Sequence, residues 1–486
     1  MKSIMIAGTA SDVGKSVITA GFCRIFKQDG WKPAPFKAQN MSLNSFATPD
    51  GLEIGRAQAV QAEAAGVPCT TDMNPVLLKP SSDVSAQLVL HGKPAGNRTA
   101  AEYFTTAYNN GLFAEATAAY DRLAAQFNPV VMEGAGSISE INLWDRDIVN
   151  MRMAMHARAD VYLVADIDRG GIFGSIYGTL ALLPPEQKAL VKGIIINKFR
   201  GDIRLFDDGR KQLERLTGVP VTGVLPYFRD IHIEEEDTVS LQTKYRRLAA
   251  DKVNIAVVLL RHMSNFTDFN ALEKYEEINL FYTDNPADIV KADVVILPGS
   301  KNTIGDLMAI RSNGTAAAVL QAAAAGKTVI GICGGFQMMG ATIADPYGVE
   351  GEIRETAGLG LLPVHTHLAQ VKTTKQQSFR FRDMPGTCVG YEIHMGVTTA
   401  AAASPVNILG DGSADGYWLS PKCWGTYLHG VLDNDVVVKQ VIGTVGRHIS
   451  AGFDYPAFRQ QQYDKLAALM REHLDMQAVY SSLAKQ

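Results

Sequence analysis

The chain is poor in cysteine, with five in 486 residues: Cys23, Cys69, Cys333, Cys388 and Cys423. Their number is odd and no two are spaced as C-x-x-C, which argues against a disulfide framework and against a zinc ribbon. Long basic runs are also missing, and 46 lysines and arginines against 50 acidic residues leave a formal charge of −4. A nucleic-acid footprint is therefore absent. No window approaches the ~18 consecutive apolar residues that a membrane span needs. The opening stretch MKSIMIAGTASDVGKS turns to glycine and polar residues after a handful of apolar positions, unlike the apolar region of a signal peptide. Neither an internal repeat nor a low-complexity tract interrupts the chain. The expectation is a soluble, cytoplasmic protein with reduced thiols and small-molecule partners, with no nucleic-acid or membrane partner; a homo-oligomer is compatible with it.

What the chain does have is length, 47% hydrophobic residues and 44 glycines, enough for two or three domains. Short β-branched runs, SIMIAG, PVVMEGAG, VYLVADID, GIIINK and VTGVLP, alternate with alanine-rich stretches such as GRAQAVQAEAAG and FAEATAAYDRLAAQF. Continuous rather than alternating apolar strands predict a parallel sheet covered by helices on both faces. After VTGVLP the pattern stops and charge rises, as in a linker. Strands restart with VNIAVVLL, INLFYT, ADVVILPGS and TVIGICGG, and the region from about 350 to 430 reads as an antiparallel extension. The predicted division is 1–235, a linker 236–250, a second α/β domain 251–440, and a helical segment 441–486.

Two glycine-rich strand ends carry chemistry. In IMIAGTASDVGKSVITAGF a strand runs into Gly8, a loop, and then Gly14-Lys15-Ser16 at the start of a helical pattern. Backbone N–H groups over Gly8, Thr9, Asp12, Val13 and Gly14 can face an anion, Lys15 would hold the β and γ phosphates, and Ser16 would ligate magnesium. The loop is one residue longer than the usual G-x-x-x-x-G-K-[ST]. Glu133 of VVMEGAGS ends a buried strand, where a carboxylate requires a cation or donors beside it; a helix cap is the alternative. Asp166 and Asp168 of VADIDRGG end another strand, either near a ligand or in a simple turn.

The second strand end is VIGICGGFQ, where Cys333 stands between glycines at 331, 334 and 335. A strand turning sharply into a helix lifts the sulfur above the sheet edge and aims the N–H of Gly334 at a developing oxyanion; the glycines relieve the crowding. A thiol nucleophile needs a proton acceptor, and His429 in CWGTYLHGVL is the candidate. Gly299 or Ser300 of LPGSKNT would supply a second oxyanion N–H. The alternative is a packed core thiol with a satisfied strand-end histidine.

The phosphate loop resembles that of dethiobiotin synthetase and its relatives, P-loop enzymes that use ATP to activate a carboxyl-type group. This resemblance implies ATP and Mg2+ as cofactors, Glu53 and Glu133 with Ser16 around the metal, Lys37 and Asn40 of PFKAQN near the acyl acceptor, and Asn197 of IINK at the adenine. The thiol region resembles class I glutamine amidotransferases, in which such a cysteine releases ammonia from glutamine. Many of those enzymes carry glutamate two residues after the histidine; Val431 stands there, so no orienting acid is identified. Its lack, with GYEIHMG at 390–396, points to the CobB/CobQ family of corrinoid-amidating enzymes, where Glu392 and His394 either touch the site or pack, with packing favoured for His394. The motifs together are similar to the adenosylcobyric acid synthase branch. The fold implied is an N-terminal dethiobiotin synthetase-like P-loop domain plus a C-terminal class I amidotransferase-like α/β domain. The implied reaction is ATP- and L-glutamine-dependent amidation of the b, d, e and g carboxylates of adenosylcobyrinic acid a,c-diamide. Alternatives are an a,c-diamide-forming synthase and, from another class, a nucleotide-switched partition ATPase. The latter usually carries K-G-G-x-G-K-[ST] and has no use for Cys333 and His429.

Overall fold

The computed structural model describes residues 3–82, 85–99, 105–234, 248–449 and 452–484. The first half is built on a six-stranded parallel sheet in the order Val221–Pro226, Val191–Phe199, Asp160–Asp166, Ile4–Gly8, Val130–Glu133, Ala34–Phe36. Its central strand IMIAG is fully buried. Ile4 and Ile6 pack into one apolar cluster and Met5 and Ala7 into another. Side chains alternate across a strand, so a run with no polar position marks a sheet covered on both faces. The helix Lys15–Gln28 follows the first strand and covers the Ile4/Ile6 face with Ile18, Phe22 and Phe26.

The partner of that helix comes from the far end of the chain. Helices Tyr455–His473 and Met476–Ala484 bring Leu466, Ala467, Met470, Val479 and Leu483 into the same cluster. Arg24 Nε donates to Asp464 Oδ1 at 2.7 Å and fixes the register of the contact. The C-terminal helices thus complete the core of the first sheet.

The second half is built on the parallel strands Ile278–Thr283, Val253–Val258, Val294–Leu297, Thr328–Ile332 and Cys423–Thr426, with Tyr417–Ser420 antiparallel at the edge. The predicted antiparallel extension is a long hairpin, Val364–Phe381 and Cys388–Ala400, onto which Leu428–His429 pairs. The helix Asp435–Gly443 packs into this core through Val437, Val438, Val441 and Ile442.

A smaller sheet, Gln39–Met41, Val76–Ser82, Ser85–Leu90 and Lys93–Thr99, projects from the first half. Contacts from this region reach the second half. Ser45 N donates to Asn265 Oδ1 at 2.9 Å, Phe266 N to Asn44 Oδ1 at 3.1 Å, and Phe46 packs edge-on against Tyr391. Most of the linker expected over 236–250 lies outside the described residues. Just before it, buried Glu234 accepts from Arg56 Nε at 2.8 Å and pairs with Arg459 Nη1 at 3.4 Å, tying the end of the first half to a C-terminal helix. No helix among the described residues is long and apolar enough to cross a membrane.

Candidate functional site

Gly14 caps the helix Lys15–Gln28 at φ 100°, a left-handed conformation that a side chain at this position would resist. The Asn197 Nδ2 donates to the Val13 carbonyl at 2.8 Å, so Asn197 braces the loop from the neighbouring strand. Lys15 curls back over the loop, its Nζ donating to Ala10 O and Gly136 O, both at 2.9 Å. This brings EGAGS against the phosphate loop. Thr9 N donates to Val164 O at 3.0 Å and Val13 is buried. Asp12 has φ 57° and lies 3.5 Å from Arg169 Nη2.

Glu133 is the centre of this first cluster. Its Oε1 accepts from Ser16 Oγ and Lys37 Nζ, each at 2.8 Å, and its Oε2 from Gln61 Nε2 at 2.5 Å. Burial works against ionisation of this carboxyl, but the Lys37 ammonium and the hydrogen bonds outweigh it and hold the pKa below the usual range. Ser16 and Glu133 together present hard oxygen donors beside the loop lysine, which fits magnesium chemistry. Asn40 is buried on the neighbouring small sheet, and its Nδ2 donates to Gln58 at 3.2 Å.

Glu53 is placed in a different cluster. Its Oε1 accepts from Lys79 Nζ and Ser45 Oγ at 2.7 Å, and its Oε2 from Lys372 Nζ at 2.5 Å. Burial would raise its pKa, yet the two ammonium groups prevail and hold it well below the usual carboxylate range. Lys372 comes from the second half, so this pair joins the two halves. Asp166 pairs with Lys198 at 2.9 Å and Asp168 with Arg200 at 2.6 Å, both at the strand end.

In the second half the strand Thr328–Ile332 ends at Cys333, which has φ 52° and ψ −109° and caps the helix Gly334–Met339. A non-glycine residue held in such a conformation is strained, and strain of this kind is stored where a side chain must be aimed. A Cβ at Gly335 would collide with the Leu297 carbonyl oxygen, so glycine is what lets the elbow close onto its neighbour strand. A Cβ at Gly334 would sit 2.8 Å from Ser300 N, which puts the 299–300 turn directly beside the residue after the cysteine. That turn is held by pairing of Gly299–Ser300 with Met263–Ser264.

His429 is fully buried and stacks on Tyr391 with ring centroids 5.3 Å apart. Its Nδ1 lies 2.7 Å from Asp268 Oδ2, while Gly430 N donates to Asp268 Oδ1 at 2.9 Å. Its Nε2 is buried without a conventional hydrogen-bond partner, and its electrostatic neighbour is the Cys333 sulfur. Burial lowers the imidazole pKa, but Asp268 and Cys333 outweigh it and raise the pKa above the usual histidine value. Asp268 thus occupies the orienting position for which sequence reading found no candidate. It lies 161 positions from the histidine, in a turn entered through Asn265 at φ 53°. Its only sequence signal is an acid between phenylalanines in NFTDFN.

His394 stacks on Tyr427 at 3.9 Å and bonds Gly396 O through Nδ1 at 2.8 Å and Glu392 through Nε2 at 3.3 Å. It both packs and lines a cavity of about 50 Å³ beside Cys333. Lys79 of the first half forms part of the same wall, with Lys301, Glu350 and Lys372.

Comparison with known proteins bears on both halves. Residues 4–240 match the CobQ/CobB/MinD/ParA nucleotide binding domain, and residues 254–437 the CobB/CobQ-like glutamine amidotransferase domain. Over 484 residues the chain is 60% identical to a cobyric acid synthase of Bacteroides fragilis, covering 99% of this chain and 98% of that protein. The identity to the cobyric acid synthase of Phocaeicola vulgatus is 58% over 486 residues, with the same two shares. Against that of Citrobacter koseri it is 49% over 502 residues, again covering 99% and 98%. With the phosphate loop in one half and the cysteine elbow in the other, the chain belongs to the cobyric acid synthase family, glutamine amidotransferase ligases of cobalamin biosynthesis.

Proposed function

We propose that the chain amidates the b, d, e and g carboxylates of adenosylcobyrinic acid a,c-diamide, using L-glutamine as nitrogen donor and ATP as activator. The observation that carries the reading is the presence in one chain of a phosphate loop bearing Lys15 and Ser16 and of a Cys333–His429–Asp268 set.

In the back half His429 takes the thiol proton, and the Cys333 thiolate attacks the glutamine amide carbon. The N–H groups of Gly334 and of the Gly299–Ser300 turn stabilise the oxyanion. Collapse of the tetrahedral adduct expels ammonia, with the proton returned by His429, and leaves a glutamyl thioester that water hydrolyses to glutamate. Asp268 holds the imidazole through Nδ1, keeping Nε2 toward the sulfur.

In the front half the substrate carboxylate oxygen attacks the γ-phosphorus of ATP, giving an acyl phosphate and ADP. Lys15 binds the β and γ phosphates. Magnesium, held by Ser16 and Glu133, would neutralise charge on the transferred group. Lys37, paired with Glu133 at 2.8 Å, would meet the acceptor carboxylate, and that pairing beside Ser16 supports the reading. Ammonia then attacks the acyl carbon and phosphate leaves. At neutral pH free ammonia is mostly ammonium, which is not a nucleophile, so release into a cavity shielded from water preserves its reactivity.

The test is Cys333→Ser in the full chain, with products weighed by mass spectrometry. Glutamine-supported amidation is expected to vanish while ammonium-supported amidation persists. Loss of both in a folded variant would overturn the division of labour between the halves.

A further inference from the structure

The cavity beside Cys333 carries two charged side chains that the reaction scheme leaves unused. Lys301 follows the 299–300 turn directly, and its ammonium makes no hydrogen bond or ion pair among the described residues. Glu350 lines the same cavity, its Oε2 accepting from Ile304 N at 3.1 Å and its Oε1 from Thr303 Oγ1 at 3.2 Å. Those two bonds anchor the carboxylate to the start of the helix Thr303–Ser312 and fix its position without neutralising it. The two groups act on each other electrostatically without forming an ion pair. A lysine and a glutamate presented separately to one cavity form a complementary frame for a zwitterion.

Glutamine is such a molecule, with an α-carboxylate and an α-ammonium at the end opposite its amide. Resting on the reading of Cys333 as the glutaminase nucleophile, we infer that Lys301 binds the α-carboxylate and Glu350 the α-ammonium of glutamine. The pair selects the free amino acid over uncharged amides and positions its amide carbon at the sulfur.

The electrostatics agree. Burial pushes the Glu350 carboxyl up to about 7, against the donors from residues 303 and 304 and the Lys301 charge. Burial, with Lys79 nearby, likewise lowers the Lys301 pKa. The two groups feel each other's charge but form no ion pair, and each gains a directly contacting counter-charge when the zwitterion enters.

The test uses the full-length enzyme, its Lys301→Gln and Glu350→Gln variants, and two alkylating reagents that report on Cys333. One is a chloroketone carrying the amino-acid head group of glutamine; the other is iodoacetamide, which has no head group. Gln at 350 keeps an amide oxygen to accept from Ile304 N and offers its amide nitrogen as donor to Thr303 Oγ1, so both anchoring contacts survive while the charge is lost. In each variant the inactivation rate by the chloroketone and kcat/KM for glutamine should fall about 10- to 100-fold, while the iodoacetamide rate stays within about twofold. Deleting the α-amino group from the chloroketone should slow wild type and Lys301→Gln but make little further difference to Glu350→Gln. Equal losses with both reagents would mean a general disturbance of the elbow and would overturn the inference, as would no loss with either. If the chloroketone fails to alkylate Cys333 in the wild type, the glutaminase reading itself falls.

Discussion

Replacing Asp268 with asparagine tests the contact that organises the glutaminase half. The carboxylate accepts from His429 Nδ1 at 2.7 Å and Gly430 N at 2.9 Å, and both side chains of the pair are almost fully buried. Asparagine keeps the shape but removes the charge that stabilises an imidazolium, and its amide can turn a donor toward Nδ1. Breaking one side of a buried charged pair costs about 3–5 kcal/mol. If that cost falls on the thiolate–imidazolium state, glutamine-supported turnover drops about 200- to 5,000-fold. The pH profile should move as well. Asp268 raises the His429 pKa against the lowering effect of burial, so its loss allows the imidazolium to deprotonate at lower pH. The alkaline limb of glutamine-dependent activity should therefore shift toward acid. Glutamate release and ammonium-supported amidation are measured side by side on the same preparation. Turnover within about threefold of the wild type would refute an orienting role, and so would a parallel fall in the ammonium-supported reaction.

Three further outcomes are expected. Lys15→Ala should abolish amidation with glutamine and with ammonium alike, together with ATP cleavage; wild-type turnover would refute the phosphate-loop assignment. Gly335→Ala forces a methyl group into the Leu297 carbonyl. It should lower the thermal midpoint by the equivalent of about 1–3 kcal/mol and impair glutamine use more than ammonium use, whereas an unchanged midpoint and activity would mean the elbow has room. Leu466→Ala removes a buried side chain that packs the C-terminal helix onto the first sheet. A loss of about 2–5 kcal/mol in denaturant unfolding is expected, and a loss below about 0.5 kcal/mol, typical of surface sites, would contradict that packing.

The residues legible in the sequence are those whose role imposes a local backbone demand. Gly14 at φ 100° ahead of Lys15 and the glycines crowded around Cys333 leave marks within a few positions, because only glycine tolerates those conformations and approaches. The buried strands are equally local, since two covered faces require an unbroken apolar run. Glu133 was readable as a strand-end acid in need of partners, and it has three donors. Glu53 shows the opposite case. The resemblance groups it with Ser16 and Glu133, whereas its oxygens meet Lys79 and Lys372. Lys372 lies 319 positions away, and nothing near Glu53 announces that partner.

By itself the sequence determined two parallel α/β units, a phosphate loop at one strand end and a thiol elbow at another, because these follow from periodicity and from glycine over short spans. Tertiary structure alone decided that Asp268 orients His429, that the terminal helices close the first core, and that Lys79 of the front half helps wall the cavity before Cys333. The physical reason is that a buried charge or apolar face must find a partner in space, and any of several distant residues could satisfy it equally well until packing selects one.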